Sequence, residues 1–536
     1  MSVATATATP SKKVPDYFRT GWTAGYNPWV IAMVVTLATF MEVLDTSIAN
    51  VSLPHIAGSM SASIDESTWV LTSYLVANAI VLPISGWIAN RIGRKRFYMI
   101  CVALFTISSA LCGLAPSLGW LVFFRVLQGV GGGGLGPSEQ SILADTFPPE
   151  KRGMAFAMYG MAIVLAPAIG PTLGGYITDH YSWRWVFFIN IPVGILSLFL
   201  SNRFVTDPPH ARARNDGSRI DYIGLSLIAV GLGALEMVLD KGQEEDWFHS
   251  PFVISCAIVA VVALFTFVLW EWYHESPIVD VRLFKNRNFA VSNIMMLVLG
   301  IVLFATTVLL PQFMQIIMGY SAEQSGMALS PGGFVIILLM PFVGKMVGVV
   351  DPRKMAAFGF FASAVALLYM ASHLYGGMDF RTAVSLRCYQ AVGIAFLFVP
   401  INTIVYVGIP PEKTNAVSGI VNLSRNMGAD IGIAMVTTML ARRGQVHQAN
   451  LVTHTNNYNP AFRAQLAGIA RNFVAHGASA YDASHRALGV MARTLGVQAQ
   501  TLAYVDVVKL LAILCALVVP LAFLTRRPTG PAKMGH

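Results

Sequence analysis

WVIAMVVTLATFMEVLDTSIANVSLP, Trp29–Pro54, runs for 26 residues with two carboxylates, Glu42 and Asp45, and no lysine or arginine. An α-helix rises about 1.5 Å per residue, so about 20 such residues cross the roughly 30 Å of hydrocarbon in a bilayer. Runs of this kind recur along nearly the whole chain. Of its 536 residues 55% are hydrophobic and 12% charged, and the mean hydropathy is +0.61. A soluble domain carries about 25% charged residues, so this chain lacks the charge to cover a water-facing surface. Strands of a membrane barrel would alternate in polarity over about ten residues, and no such alternation is found. The sequence therefore predicts an all-α polytopic membrane protein.

About fourteen spans are expected, beginning near Trp29, Ser67, Phe97, Leu118, Gly153, Arg184, Ile220, Pro251, Phe289, Gln324, Met355, Thr382, Ala416 and Ala503. An even number places both termini on one side. With that side inside, cytoplasmic segments hold 22 lysines and arginines, against three (Arg184, Lys241 and Arg381) in short external turns. Basic short loops stay in the cytoplasm, which predicts a multi-pass inner-membrane protein with both termini cytoplasmic. The first 28 residues show no cleavage site, so the first helix is read as uncleaved.

The turn GWIANRIGRKR is echoed, shifted by one position, in GKMVGVVDPRK, which pairs Gly86, Arg94 and Lys95 with Gly344, Arg353 and Lys354. Parallel repeats build the two rocking halves of many secondary transporters. The expected division is a cytoplasmic tail (1–28), a six-helix bundle (29–204), two inserted helices (220–272), a second six-helix bundle (289–525) and a tail (526–536). A polar segment, 441–502, is expected outside as a cap, a partner-docking element or a loop; it holds six arginines, but segments of that length cross regardless of charge.

Several function classes are excluded. The net charge of +9 is scattered through short turns, not gathered into a patch, which argues against nucleic acid. The five cysteines, Cys101, Cys112, Cys256, Cys388 and Cys515, form no CxxC pair and read as packing residues. Gly129, Gly131 and Gly134 match GxGxxG but follow a membrane helix instead of a strand, so they read as close helix packing. No GxxxxGK[ST] occurs, and no histidine cluster, metal-ligand spacing or nucleophile setting supports an enzyme. No cofactor is expected; the energy source would be a proton gradient.

Asp45 and Glu42 are the first candidates, because an ionised carboxylate at mid-membrane costs roughly 2.5–3.5 kcal/mol on insertion scales. Three residues apart, they share one helix face. Arg125, in LVFFRVLQGVGGGG, is the natural counter-ion, since an arginine in an apolar span must face a cavity or a charge. Protonation of Asp45 would free Arg125 and deprotonation would recapture it, a switch to which the two halves could respond. A proton moving down about 150 mV supplies roughly 3.5 kcal/mol, enough for a gradient of about 300-fold. Pro167, Gly170, Pro171, Gly174 and Gly175 allow a kink and close helix approach, as a gate hinge or as plain packing. Arg91, Gly93 and Arg94, with their neighbouring cations, read as a conformational latch or as topology charges. Arg425 and Glu236 are possible cavity-lining groups; Glu236, in an inserted helix, and Arg387, near a helix's outer end, also read as structural or interfacial charges, and Asp430 is a further candidate.

Taken together, LDTSIANVSLP (Leu44–Pro54), GWIANRIGRKR (Gly86–Arg96), RVLQG (Arg125–Gly129), GPTLGG (Gly170–Gly175), WRWVFFINIPVG (Trp183–Gly194) and PIVDVRLFKNRNF (Pro277–Phe289) resemble the major facilitator superfamily, in its fourteen-helix drug:proton antiporter branch. The resemblance covers nearly the whole chain. It implies that Asp45 is the first-helix acid, Arg125 the proton-coupling arginine and Gly170–Gly175 the antiporter signature. It further implies export of hydrophobic or amphipathic compounds by alternating access, with a periplasmic adaptor and an outer-membrane channel as partners. Two positions depart from the pattern: Asn90 replaces a loop aspartate, and Glu42 stands where glutamine is familiar, which would widen substrate choice toward cations. A dedicated exporter of one metabolite or siderophore and a non-transporting sensor remain alternatives.

Overall fold

The computed structural model describes residues 25–208, 221–456 and 458–526, and among them the structure is helical with no strand. The expected tails lie outside the described residues, except for 25–28 and Arg526, as does the basic stretch 209–220. In chain order the helices are α1 (Pro28–Ser59), α2 (Ile64–Ile92), α3 (Arg94–Leu114), α4 (Leu118–Gly132), α5 (Leu135–Thr146), α6 (Pro149–His180), α7 (Trp185–Phe188), α8 (Asn190–Phe204), α9 (Tyr222–Lys241) and α10 (Pro251–Tyr273). They continue with α11 (Arg287–Ile316), α12 (Ala322–Met346), α13 (Pro352–His373), α14 (Phe380–Val405), α15 (Thr414–Val452), α16 (Pro460–Ala475) and α17 (Ala480–Leu524).

Local sequence explains where these helices start and turn. Asn27 caps α1, with Pro28 in the first turn, where a missing N–H costs nothing. Ser63 with Glu66, and Ser321 with Gln324, form reciprocal capping boxes on α2 and α12. Gly93, at φ +92°, joins α2 to α3 in a backbone region that side chains rarely adopt.

Twelve helices among the described residues are long and apolar enough to cross a bilayer, or thirteen if α6 counts as one span bent by 41° near Pro167. Here α4 and α5 act as one span, as do α7 and α8. The expected count of fourteen is reached only with α15, which packs on α2, α11 and α17 but carries Arg425 and Asp430 on its buried length. Hydropathy undercounts it because its polar face meets protein instead of lipid.

The helices preceding α9 pack among themselves, and α11 to α15 with α17 form a second group. The hairpin of α9 and α10 leans on α2 through α9, while Val261, Val262 and Phe265 of α10 face outward, as suits a lipid-facing helix. The two groups meet where α6 packs on α12 and α14, and where α2 and α5 pack on α15. Small residues make this seam: a Cβ at Gly86 would lie 2.7 Å from the backbone N of Ala416, and one at Gly153 would lie 2.8 Å from the carbonyl O of Gly344. The repeat echo thus places both of its glycines, Gly86 and Gly344, against the opposite half. The stretch 441–502 is mostly helical: α15 runs on to Val452, α16 follows, and α17 begins at Ala480 and continues into the bundle.

Candidate functional site

Asp45 is fully buried at the centre of α1 and lies 2.7 Å from Nη1 of Arg125, which is itself fully buried on α4. The arginine is held from two further sides. Its Nε donates to the carbonyl of Val70 on α2 at 2.9 Å, and its Nη1 also donates to Oε1 of Gln128 at 2.8 Å. Its guanidinium stacks 4.2 Å above the ring of Tyr74, a favourable cation–π contact.

The second carboxylate oxygen of Asp45 is also occupied. Gln128 Nε2 donates to Oδ1 at 3.0 Å and Asn190 Nδ2 at 2.6 Å, while Asn190 donates in addition to Ser109. These N–H donors converge on one carboxylate, and each bond is stronger to its ionised form. The expected pair is therefore present, and four helices (α1, α2, α4 and α8) are tied to its charge. Sequence reading named Asp45 and Arg125 but missed Gln128 and Asn190. Gln128 is three residues past Arg125, a spacing that puts both on one helix face and could have found it; Asn190 carries no such local signal.

α6 packs alongside the same stretch of α1. A Cβ at Gly170 would collide with the side chain of Ser47, and one at Gly174 would come within 2.9 Å of Ile48. Both partners lie within three residues of Asp45, so the kinked Gly/Pro segment touches the part of α1 that carries the carboxylate. Gly175 meets nothing within 4 Å and shares no such contact.

Glu42 does not join this ion pair. It accepts from Asn78 Nδ2 at 3.1 Å and from Tyr74 at 3.4 Å, on the side of α1 that faces α2. Asn426 on α15 donates to Oδ1 of Asn78 at 3.4 Å, and Arg425 bonds Oδ1 of Asn426 at 3.3 Å. A polar chain thus crosses from Glu42 to Arg425 between the halves. Glu139 of α5, which sequence reading missed, is fully buried near Glu42 and Arg425, and no side chain donates to its carboxyl. It was masked by the short polar run GPSEQS, which reads as a turn.

The remaining candidates lie elsewhere. Arg94 is buried and bonds Asp145 at 2.7 Å and the carbonyl of Ser141 at 2.9 Å, so it ties α3 to α5 within one half. Arg91 stacks over Trp87 at 5.4 Å. The cross-half contact of this turn comes from Asn90, whose Oδ1 accepts from Asn415 of α15 at 2.6 Å. Glu236 is buried on α9 against Asp430 of α15, away from Asp45. The glycine run packs as expected: a Cβ at Gly131 would lie 2.7 Å from the backbone of Phe105, and one at Gly133 2.6 Å from that of Asn78.

Two helical groups about a seam of small residues, with a buried carboxylate–guanidinium pair inside one group, define a membrane transporter scaffold. The chain belongs to the Major Facilitator Superfamily, whose sequence model matches residues 35–433. It is 39% identical, over 82% of its length and 86% of the relative's, to the multidrug export protein EmrB of Escherichia coli strain K12. It is 36% identical, over 95% of its length and 98% of the relative's, to the fatty acid resistance protein FarB of Neisseria gonorrhoeae. The colistin resistance protein EmrB of Acinetobacter baumannii is 31% identical over 91% of this chain and 94% of its own. Among solved structures, the proton:xylose symporter XylE superposes with a TM-score of 0.56 at 14% identity, covering 91% of this chain and 94% of that one. That likeness shows the shared fold.

Proposed function

We infer that this protein exports hydrophobic and amphipathic compounds from the cell as a multidrug efflux transporter, driven by proton antiport. The observation that carries the reading is the network around Asp45. Its carboxylate is buried without solvent, is held by Arg125, Gln128 and Asn190, and is packed against the Gly170–Gly174 segment of α6. Adding a proton to Asp45 removes the charge that Arg125, Gln128 and Asn190 all face, so α1, α4 and α8 must find new contacts. Arg125 keeps Tyr74 and Val70 as alternatives. Because the seam between halves is a packed surface and not a deformable one, such local changes select between discrete arrangements.

In this account Asp45 carries the proton and Arg125 answers its charge, while Glu42, linked to Arg425 through Asn78 and Asn426, reports the charge of the cavity. Gly170, Pro171 and Gly174 transmit the change, with Gly175 as a spacer, while Gly93 and the Arg91–Arg94 turn hold the end where the halves meet. The positive-inside asymmetry supports cytoplasmic termini, and with them an inner-membrane location. The end closed by Gly86, Asn90 and Gly153 is then cytoplasmic. A periplasmic adaptor and an outer-membrane channel complete the export route, and the helical stretch 441–502 is the element exposed to them.

The reading is tested in energised inverted membrane vesicles by following ethidium or an uncoupler with wild type and Asp45→Asn at matched expression. Gradient-dependent transport lost in Asp45→Asn is expected. Transport by Asp45→Asn equal to wild type would overturn the proton role, and a wild type that moves none of a broad panel would favour a dedicated exporter or a sensor.

A further inference from the structure

The Arg–Gln pair at the proton site has a double in the other half. On α4, Arg125 Nη1 donates to Gln128 Oε1 at 2.8 Å; on α14, Arg387 Nη1 donates to Gln390 Oε1, also at 2.8 Å and also three residues on. In the first half Gln128 continues to a carboxylate, Asp45. In the second half Gln390 Nε2 continues to the hydroxyl of Thr306 on α11, at 2.6 Å. Thr306 occupies the place of the acid, so this guanidinium has company but no counter-charge.

Arg387 is 5% exposed, and no carboxylate among the described residues forms an ion pair with it. Its other contacts are weak: Nη1 to Thr306 at 3.4 Å and Nη2 to Thr307 at 3.3 Å, while Nε has no partner. A buried cation left without a counter-ion is costly, and chains rarely keep one unless something pairs with it. Room has been made for it, since a Cβ at Gly332 of α12 would lie 2.6 Å from Cγ of Arg387. The side chain lines a narrow cleft of about 10 Å³, walled by Thr307 beside it and otherwise by apolar groups: Ile163, Val164 and Pro167 from α6, Leu303 and Phe304 from α11, and Leu329 from α12. The cleft lies between the halves, since α6 belongs to one and the other helices to the second.

We propose that Arg387 is a binding site for the anionic headgroup of an amphipathic substrate, a carboxylate above all, which it meets as the halves part and the cleft widens, with the apolar walls then taking the adjoining hydrocarbon. A carboxylate offers two oxygens to the fork of a guanidinium, including the unpartnered Nε–H, and supplies the charge that Thr306 does not. The site is the counterpart of the Asp45 pair with its acid left to be brought by the ligand. This inference names a substrate class and rests on the export reading.

The test uses two ligands with the same tail and opposite heads, decanoate and decyltrimethylammonium, bound to the purified full-length protein in nanodiscs of zwitterionic lipid. Arg387→Gln is expected to weaken decanoate at least about tenfold relative to decyltrimethylammonium, and Arg387→Lys, which keeps the charge but not the fork, to restore only part of the difference. Should Arg387→Gln fail to fold, Thr306→Asp, which gives the guanidinium its own counter-charge, is expected to weaken decanoate selectively. Equal loss of both ligands, or unchanged decanoate binding, would overturn the proposal. So would competition by phosphatidylglycerol that Arg387→Gln abolishes, because it would make a resident lipid the occupant. Ethidium efflux by the wild type, measured beside these, separates the two levels: active efflux with charge-blind binding removes only the anion site.

Discussion

Gly86→Ala places one methyl group into the seam where the two halves touch. At 2.7 Å from the backbone N of Ala416, and 2.8 Å from its Cα and from the carbonyl carbon of Asn415, the new Cβ falls about 0.7 Å short of the 3.4 Å at which ordinary contact begins. All three atoms are backbone, so no side chain can swing aside; α2 and α15 must part. Overpacking of this kind costs about 1–3 kcal/mol. Here the cost falls only on the arrangement in which these helices touch, and opening this end relieves it. The populations should therefore move away from the present arrangement by a factor of about 5 to 150. Electron–electron distance measurements between spin labels at Lys151→Cys and Lys354→Cys, two exposed positions on opposite halves at this end, would show the longer-distance population growing. Gly175→Ala is the control, because nothing lies within 4 Å of its Cβ, and it should leave the distribution alone. An unchanged distribution in Gly86→Ala, or the same change in both variants, would refute the reasoning.

Four further outcomes follow from the geometry. Asn190→Ala takes one donor from Oδ1 of Asp45, a charged hydrogen bond worth about 1.5–3 kcal/mol, and should lower the thermal midpoint followed by intrinsic fluorescence; an unchanged midpoint would show the bond to be idle. Gly432→Ala would bring a Cβ within 2.7 Å of the carbonyl of Ile301, so α11 and α15 should lose about 1–3 kcal/mol of packing, visible as the same kind of midpoint drop. Glu139→Gln swaps a buried carboxyl that no side chain holds for a neutral amide of the same shape, so the midpoint should stay level or rise, and a marked fall would mean that the carboxyl is paired. Near the start of α11, partial burial pushes the Asp280 carboxyl up, but Lys413 and Arg282 outweigh it and hold the group below its ordinary value of 3.8. A depressed folded value means that this bridge stabilises the protein above that ordinary value and is lost as pH falls through the lower one. Lys413→Met should therefore flatten the acid end of a stability-versus-pH curve and leave its shape near neutral pH alone.

Much of this arrangement is visible in the chain itself. Membrane helices announce themselves by length and lack of charge, and a buried acid with a buried arginine is costly enough to stand out, so Asp45 and Arg125 could be paired before any coordinates. What stays hidden is of two kinds. Asn190 and Glu139 reach their positions only through tertiary packing, the one from α8 and the other from a stretch that breaks the hydropathy pattern. Helix α15 is legible as a span from Ala416, although Arg425 and Asp430 hold its hydropathy below that of the other spans because its environment is other helices. Arg387 was legible as a buried charge near a helix end, but the four-residue match of RVLQ with RCYQ gains its meaning only when Gln390 is found on Thr306 instead of on a carboxylate.

In the proposed antiport cycle, taking up a substrate displaces the proton held by Asp45. The most direct measurement adds a transported ligand to the purified protein in weakly buffered detergent solution and follows a pH indicator. The account predicts that wild type releases protons in proportion to the ligand bound and that Asp45→Asn binds the ligand while releasing none. Equal proton release from Asp45→Asn would contradict it.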